Sequence, residues 1–196
     1  MSNKGIYSPK DTKFLMDMEQ FPRFGQLELI ESINVASAVS TVSFNGLGDN
    51  KYDVLFVTCM NVTPSNDNKH LRLRVKVDGA TQSGSNYDQE MNRHIVSSVS
   101  NLKAQNASQI YLGYNIGTGT GETTNNYHYI YQANNPLKYT FITLHSSSVN
   151  YTPYSQLMYG GGQYKVQAKV DGLEYSFSGN DVAVGSKFSL YGIRFS

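Results

Sequence analysis

The segment HLRLRVKVDG at residues 70–79 has the strictest alternation of apolar and polar residues in the chain, and it limits the possible folds more than any other feature. A strand places successive side chains on opposite faces, so a period of two predicts a β-strand with one buried face. Asp78-Gly79 at its end predicts a tight turn. The positions that this pattern assigns to the core are Leu71, Leu73, Val75 and Val77.

Strand-like segments continue through the rest of the chain from residue 26. YDVLFVTCMNV is an almost continuous apolar run, which predicts a central strand covered on both faces. The last such segment, GSKFSLYGI, predicts a packed strand whose Phe188 and Leu190 lie in the core. About ten segments separated by polar turns predict one antiparallel, jelly-roll-like β-sandwich over residues 26–196. The other predicted strands are LELIESINV, STVSFNGL, SQIYLGYNIG, NYHYIYQ, KYTFITLHSSS, QYKVQAKVDG and LEYSFSG.

Residues 1–25 differ from the rest because they contain the one predicted helix. Ser8 is the predicted N-cap, Pro9 suits the first helical position, and Pro22 ends the helix after Phe21. A helix of about three turns cannot form a core alone, so we expect an arm that packs on its own domain, a sister subunit or another protein. The residues expected to anchor this arm are Phe14, Leu15, Met18, Phe21 and Phe24.

Composition excludes several classes of protein. The formal net charge is +1, so we expect no nucleic-acid partner. Cys59 is the single cysteine, which excludes an internal disulfide, and its apolar neighbours predict that it is buried. No segment approaches the roughly 20 apolar residues of a membrane span, so no membrane insertion is expected. Since residues 1–14 lack the apolar region of a signal peptide, we expect synthesis in a reducing cytoplasm.

Motifs for catalysis or metal binding are weak. GTGTGE at residues 117–122 has no P-loop lysine and no following helix, so it predicts a polar hairpin loop. The four histidines lack metal-ligand spacing, although His128 and His145 lie in strand-like segments that could adjoin. We therefore expect no catalytic residue, no metal and no cofactor. A glycan-active enzyme stays a distant alternative, because carboxylate pairs are available among Asp88, Glu90, Glu122 and Asp171.

The tyrosine-rich stretch VNYTPYSQLMYGGG, predicted to be a loop, is the most suggestive surface. Its Tyr151, Tyr154 and Tyr159 offer rings that can stack on a sugar or contact a protein. The alternative, that they only cover the sandwich edge with their hydroxyls in water, stays open.

A second candidate surface is basic, and we interpret it as a solvated strand face. Its residues are Arg72, Arg74, Lys76 and Arg93.

Several fragments together resemble a module of tailed-phage virion proteins, a pattern common in phages of marine and freshwater bacteria. They are LELIESINVASAVSTVSF, YDVLFVTCMNV, LRLRVKVDG, IYLGYNIGTG and GNDVAVGSKFSLYGI, over about residues 27–193. The landmarks are Tyr52-Asp53, Asn86-Tyr87-Asp88 and a final segment from Gly185 to Gly192 that contains Phe-x-Leu-Tyr-Gly. The resemblance implies a jelly-roll-like domain of virion surface and tail-fibre proteins, with no catalytic residues to transfer.

The resemblance and the arm together lead to the functional expectation. Many relatives carry the module at the end of a longer fibre, whereas only a short arm precedes it here, which favours a compact virion component. We expect a non-enzymatic head decoration protein or small tail component. Its expected partners are the major capsid protein or tail proteins, and a homotrimer is favoured over a dimer. The alternative is a host-receptor domain that binds a surface glycan.

Overall fold

The computed structural model describes Lys10 and residues 27–47, 51–96 and 98–194. The five predicted anchoring residues of the arm lie outside the described residues. The strands of the described part are β1 (Glu28–Asn34), β2 (Val42–Asn45), β3 (Val54–Val62), β4 (Lys69–Val77), β5 (Ala80–Thr81), β6 (Tyr87–Ile95), β7 (Ser98–Ala107), β8 (Ile110–Ile116), β9 (Thr124–Tyr131), β10 (Thr140–Val149), β11 (Ser155–Tyr164), β12 (Gly172–Phe177) and β13 (Lys187–Ile193).

The strands form two antiparallel sheets. The large sheet has the order β1-β13-β3-β9-β10-β11-β6-β7, and the small sheet has the order β2-β12-β4-β5, with β8 also paired to β4. Eight of these strands make the two four-stranded sheets of a jelly roll, β1-β13-β3-β9 and β2-β12-β4-β8. The hairpins β6–β7 and β10–β11 extend the large sheet on one side. The prediction of an all-β, jelly-roll-like sandwich is confirmed.

The core lies between the two sheets and contains the residues that the alternation predicts. Leu71, Leu73 and Val75 are fully buried on β4, whereas Val77 is only partly buried at its end. Cys59 on β3 is also fully buried, as expected. Aromatic rings join the sheets at the centre of the core, where the Tyr175 ring centroid lies 5.2 Å from that of Phe188.

The last described strand, β13, is a central strand of the large sheet. It pairs with β1 on one side and with β3 on the other, so its backbone groups are bonded on both edges. Phe188 and Leu190 point inward and are fully buried, which confirms the prediction for this segment. The C-terminal strand therefore belongs to the folding unit itself.

Two segments differ from the prediction. Residues 155–162 were predicted as loop, but they belong to β11, whose side chains alternate between buried and exposed. Residues 165–171 were predicted as part of a strand but form no strand, because their backbone hydrogen bonds go to loops and strand ends. Lys165 N donates to Asn86 O at 2.7 Å, and Val170 N donates to Ala133 O at 2.8 Å.

The hairpin β6–β7 has no counterpart among the predicted strands. Gln89 occupies an inward position of β6, and eight of the ten residues of β7 are polar or alanine, so neither strand shows an apolar alternation. On β1, which was predicted as a strand, the leucines and isoleucines do not share one face. Leu29 is 57% exposed, because a register shift between Leu29 and Glu31 turns Ile30 and Ile33 toward the core instead.

Candidate binding surface

The outer face of the large sheet, which points away from the small sheet, carries a continuous group of aromatic rings. We call it the aromatic surface, and its members lie on the six neighbouring strands β13, β3, β9, β10, β11 and β6. At a spacing of about 4.8 Å between strands, these rings extend over roughly 24 Å. The aromatic surface consists of Phe56, His94, Tyr127, Tyr129, Tyr131, His145, Tyr159 and Tyr191.

One half of this surface is a cross-strand row. Tyr127, His145 and Tyr159 are direct partners in the register of β9, β10 and β11. The His145 ring centroid lies 5.3 Å from that of Tyr127 and 6.3 Å from that of Tyr159. His94 on β6 stacks on Tyr159 at 5.5 Å, and its Nε2 lies 3.2 Å from the Tyr159 hydroxyl. Each ring is thus held by its neighbours on the pleated sheet.

Phe56 connects this row to the other half. Its ring centroid lies 4.7 Å from that of Tyr129 and 6.0 Å from those of Tyr127 and Tyr191. Tyr131 continues the surface along β9, with its centroid 6.3 Å from that of Tyr129. The two halves therefore form one patch of rings in mutual contact.

Solvent reaches the aromatic surface and its surroundings. Tyr127 and Tyr159 remain 41% and 43% exposed, and Met60 and Leu157 at its border are 54% and 53% exposed. A groove of about 520 Å³ lies between Met60 and Leu157, beside the rings of Tyr127, His145 and Tyr159. Contiguous exposed apolar and aromatic side chains of this kind mark interaction surfaces, since tyrosine combines a large apolar ring with a polar tip.

A second concave feature lies on the same face, where β11 continues from Tyr159 into Gly160, Gly161 and Gly162. We call it the glycine trough, and it has a volume of about 550 Å³. A Cβ on Gly160 would lie 2.4 Å from Glu90 O, and one on Gly162 would lie 2.5 Å from Asp88 O. A Cβ on Gly161 would lie 2.1 Å from Ile142 O. Only glycine fits these positions, so the floor of the trough is bare backbone.

Charged and aromatic side chains surround the glycine trough. Phe141, 44% exposed, stands on the β10 side. On the β6–β7 side, the Lys103 ammonium lies 2.9 Å from the Glu90 carboxylate, and both side chains are largely exposed. Asp88 accepts from Lys165 at 2.9 Å and from Asn106 N at 2.9 Å, which holds the pKa of its carboxyl below the usual range.

Behind the aromatic surface, the sheet buries a polar residue. His128 lies on the inner face of β9, with Nε2 2.8 Å from the Tyr175 hydroxyl and Nδ1 3.3 Å from Asn126 Oδ1. Burial lowers the pKa of His128 to about 3 and raises the pKa values of the Tyr175 hydroxyl and the Cys59 thiol. All three groups are therefore neutral near pH 7, and they serve as packed core residues.

The structure separates the three tyrosines that the sequence analysis grouped. Tyr151 and Tyr154 lie in the turn between β10 and β11, 39% and 52% exposed, and Asn150 Oδ1 fixes this turn by accepting from Tyr154 N at 2.9 Å. Tyr159 lies five residues further along, inside β11, and belongs to the aromatic surface. The predicted loop cluster is thus two distinct sites.

The glycine-rich segment at residues 117–122 forms an ordered turn. Gly119 N donates to Glu122 Oε2 at 2.7 Å, and Thr118 N donates to Asp67 Oδ1 at 3.1 Å. A Cβ on Gly117 would meet the Glu122 carboxylate. Because carboxylates of the chain already occupy these backbone donors, the geometry is that of a capped loop, as the polar-hairpin interpretation expects.

The four histidines do not converge on one site. His128 and His145 are on adjacent strands but point to opposite faces, so they do not meet. His70 on β4 stacks on Tyr114 with ring centroids 3.9 Å apart. Within residues 27–47, 51–96 and 98–194, no group of three His, Cys, Asp or Glu residues is arranged to hold a metal ion.

The basic side chains that were singled out in the sequence are bonded to neighbouring strands. On the outer face of the small sheet, Arg72 Nε donates to Ser176 Oγ at 2.8 Å and Arg74 Nε donates to Ser108 O at 3.0 Å. Lys76 Nζ donates to Asn45 Oδ1 at 2.7 Å. Arg93 lies apart from them on β6, with its guanidinium 5.0 Å from the Tyr114 ring centroid. The contacts of Arg72, Arg74 and Lys76 fit the interpretation of one strand face. Arg93 does not belong to that face, because it lies on the large sheet and its Nε is buried.

The aromatic surface is the functional candidate that sequence reasoning missed. The signal was present in NYHYIYQ, where Tyr127, Tyr129 and Tyr131 alternate with His128 and Ile130. A strand with a tyrosine at every outward position predicts an exposed aromatic row. The partners from the other strands could not be identified, because the cross-strand register places residues far apart in sequence side by side.

Among the described residues, none forms a helix with the length and apolar character needed to cross a membrane. Comparison with protein-family profiles gives no match. No curated protein matches the chain either.

Proposed function

We propose that the chain is a non-enzymatic structural component of a tailed-phage virion, either a head decoration protein or a small tail component, anchored through its N-terminal arm. The sequence resemblance over about residues 27–193 supports the virion assignment. The observation that supports a contact role is the aromatic surface, which lies on the outside of a sandwich whose core is already complete. The protein would be made in the cytoplasm of the host bacterium and would reside in the virion.

The aromatic surface suits a protein partner. Interface centres are enriched in Tyr, Phe and Met. This surface combines Phe56, Tyr127 and Tyr159 with His94 and His145, and Met60 lies at its border. Its rings contact one another, so little side-chain entropy is lost when a partner covers them. We assign this surface to the contact with the major capsid protein, a tail protein or a second copy of the chain, and we favour a trimer.

The double substitution Tyr127→Ser with Tyr159→Ser tests the assignment. We expect the variant to fold, because both side chains are on the outer face, yet to join particles at least about tenfold less efficiently, as loss of interface tyrosines typically does. The measurement is the amount of variant in purified particles when it replaces the natural protein. Tyr139→Ser, another tyrosine about 40% exposed but placed in the β9–β10 loop, is the matched control. Full incorporation of the double variant would contradict the assignment.

A receptor-binding domain is the second candidate function, and one observation favours it. Tyr151 and Tyr154 are both exposed on a turn that Asn150 holds in place through bonds to Thr152 N at 3.1 Å and to Tyr154 N at 2.9 Å. A fixed turn that presents two tyrosines suits stacking on the sugar rings of a host glycan. Loss of host-cell adsorption in Tyr154→Ala particles of normal composition would support this candidate over the first.

A further inference from the structure

We infer that the glycine trough is a binding site for a neutral saccharide, with one pyranose ring stacked on Phe141 and its hydroxyl groups bonded to the Glu90–Lys103 pair. The inference concerns a site other than the aromatic surface and other than the turn of Tyr151 and Tyr154. It depends neither on the particle assignment nor on the receptor candidate. It rests on the shape, the lining and the charge of the trough.

The shape of the trough follows from the three glycines and from the close approach of the flanking strands. Gly161 lies on the outer face between its register partners Thr143 on β10 and Glu90 on β6, where any other residue would project a side chain. Because the backbone oxygens of Glu90, Asp88 and Ile142 lie within 2.5 Å of the Cβ positions of residues 160–162, no side chain can fill this space. A concavity of about 550 Å³ thus persists on the outer face of the large sheet, across β10, β11, β6 and the edge strand β7.

Phe141 supplies an apolar platform beside this floor. Its ring is 44% exposed and has no polar atom that could bond to water, unlike the tyrosines of the aromatic surface. Its direct partner on β11 is Gln163, which also lines the trough. An aromatic ring next to amide and carboxylate groups in a concave site is the usual composition of a small-molecule site, and it matches the apolar face and hydroxyl edge of a pyranose.

The polar groups on the opposite side can both donate to and accept from hydroxyl groups. Glu90 and Lys103 are held 2.9 Å apart across β6 and β7, with 70% and 61% of their side chains exposed, so a carboxylate acceptor and an ammonium donor face the trough together. Neighbouring sugar hydroxyls offer the complementary donor and acceptor. Hydrogen bonds to charged groups are the stronger class, which makes this pair a credible anchor.

The balance of charge selects a neutral ligand. The two carboxylates at the trough are each paired with a lysine, Glu90 with Lys103 and Asp88 with Lys165, both at 2.9 Å. An anionic sugar would meet the carboxylates and a cationic one the ammonium groups, whereas a neutral saccharide meets no uncompensated charge. Asp88 is already bonded to Lys165 and Asn106, so Glu90 is the carboxylate available to a ligand.

Heteronuclear NMR of the purified chain tests the site. The probes are four neutral trisaccharides, maltotriose, cellotriose, mannotriose and chitotriose, each titrated into labelled protein. We expect at least one to shift the amide signals of Gly161 and Gly162 with saturation, at a dissociation constant on the order of 1 mM. Phe141→Ala and Glu90→Ala should each weaken this binding about tenfold, because each removes one of the two anchoring contacts.

Tyr154→Ala, in the turn between β10 and β11, is the control. It should leave the dissociation constant of the trisaccharide at the glycine trough unchanged. The thermal melts of all three variants should stay close to that of the natural chain, since Phe141, Glu90 and Tyr154 are exposed. No shift with any of the four trisaccharides would overturn the inference. Shifts confined to the turn of Tyr151 and Tyr154, or binding unaffected by Phe141→Ala, would overturn it as well. None of these outcomes involves particles, so the virion proposal would stand or fall separately.

Discussion

Phe188→Ala is expected to lower the free energy of unfolding by about 3–5 kcal/mol, as truncation of a buried phenylalanine typically does. Phe188 is fully buried on β13, where it packs against Tyr175 of the other sheet with ring centroids 5.2 Å apart. Its strand is bonded to β1 and β3 on its two edges, so the surrounding backbone cannot collapse into the cavity. Since domains of this kind are stable by about 5–15 kcal/mol in total, the loss is a large fraction of the whole.

Urea unfolding followed by far-ultraviolet circular dichroism measures this effect. Ser189→Ala is the matched control, because Ser189 is the next residue of β13 but points to the outer face, where its hydroxyl meets that of Ser32 at 2.9 Å. We expect this control to change the free energy of unfolding by about 0.5 kcal/mol or less. Equal, small effects of the two substitutions would show that β13 does not close the core.

The second large effect is on the pH dependence of stability, through His128. In the unfolded chain a histidine titrates near pH 6.5, whereas burial lowers the pKa of His128 to about 3 in the folded protein. Above pH 6.5 the imidazole is neutral in both states. Between the two pKa values only the unfolded chain binds the proton, so the free energy of unfolding falls as the pH decreases, by up to about 1.4 kcal/mol per pH unit.

His128→Gln isolates this contribution. Glutamine does not titrate, and its amide can still bond to the Tyr175 hydroxyl that His128 contacts at 2.8 Å. His70 stays in the variant, and its pKa is also lowered, by burial and by Arg93 and Lys69, so its effect cancels in the comparison. Urea unfolding between about pH 7 and pH 4 should give a steeper loss for the natural chain than for the variant. Identical slopes would mean that the folded protein accepts the proton at His128.

The parts of the fold that sequence predicts are those with strict alternation or continuous apolar runs. β3, β4 and β13 were predicted because their inward residues, such as Val57, Leu73 and Leu190, are apolar without exception at the centre of each strand. The hairpin β6–β7 was missed because Gln89 occupies an inward position and β7 lies at an exposed edge. An edge strand buries too little surface to impose an apolar pattern.

The candidate sites were harder to predict from the sequence than the strands, for a geometric reason. Tyr127, His145 and Tyr159 are 18 and 14 residues apart, and only the register of β9, β10 and β11 makes them neighbours. The glycines at 160–162 indicated a loop, because three successive glycines are unfavourable in a strand. Their actual role depends on the close approach of Asp88, Glu90 and Ile142 from the flanking strands, which no local pattern reveals.

The most direct test of the proposed function is quantitative mass spectrometry of purified particles from the phage that, under this proposal, would encode the chain. We predict that the chain is present in symmetric multiples, on the order of hundreds of copies for a head decoration protein or about six to eighteen for a tail component. Either number would support a structural role in the virion. Absence of the chain from infectious particles, with the protein found instead in the host cytoplasm, would contradict it.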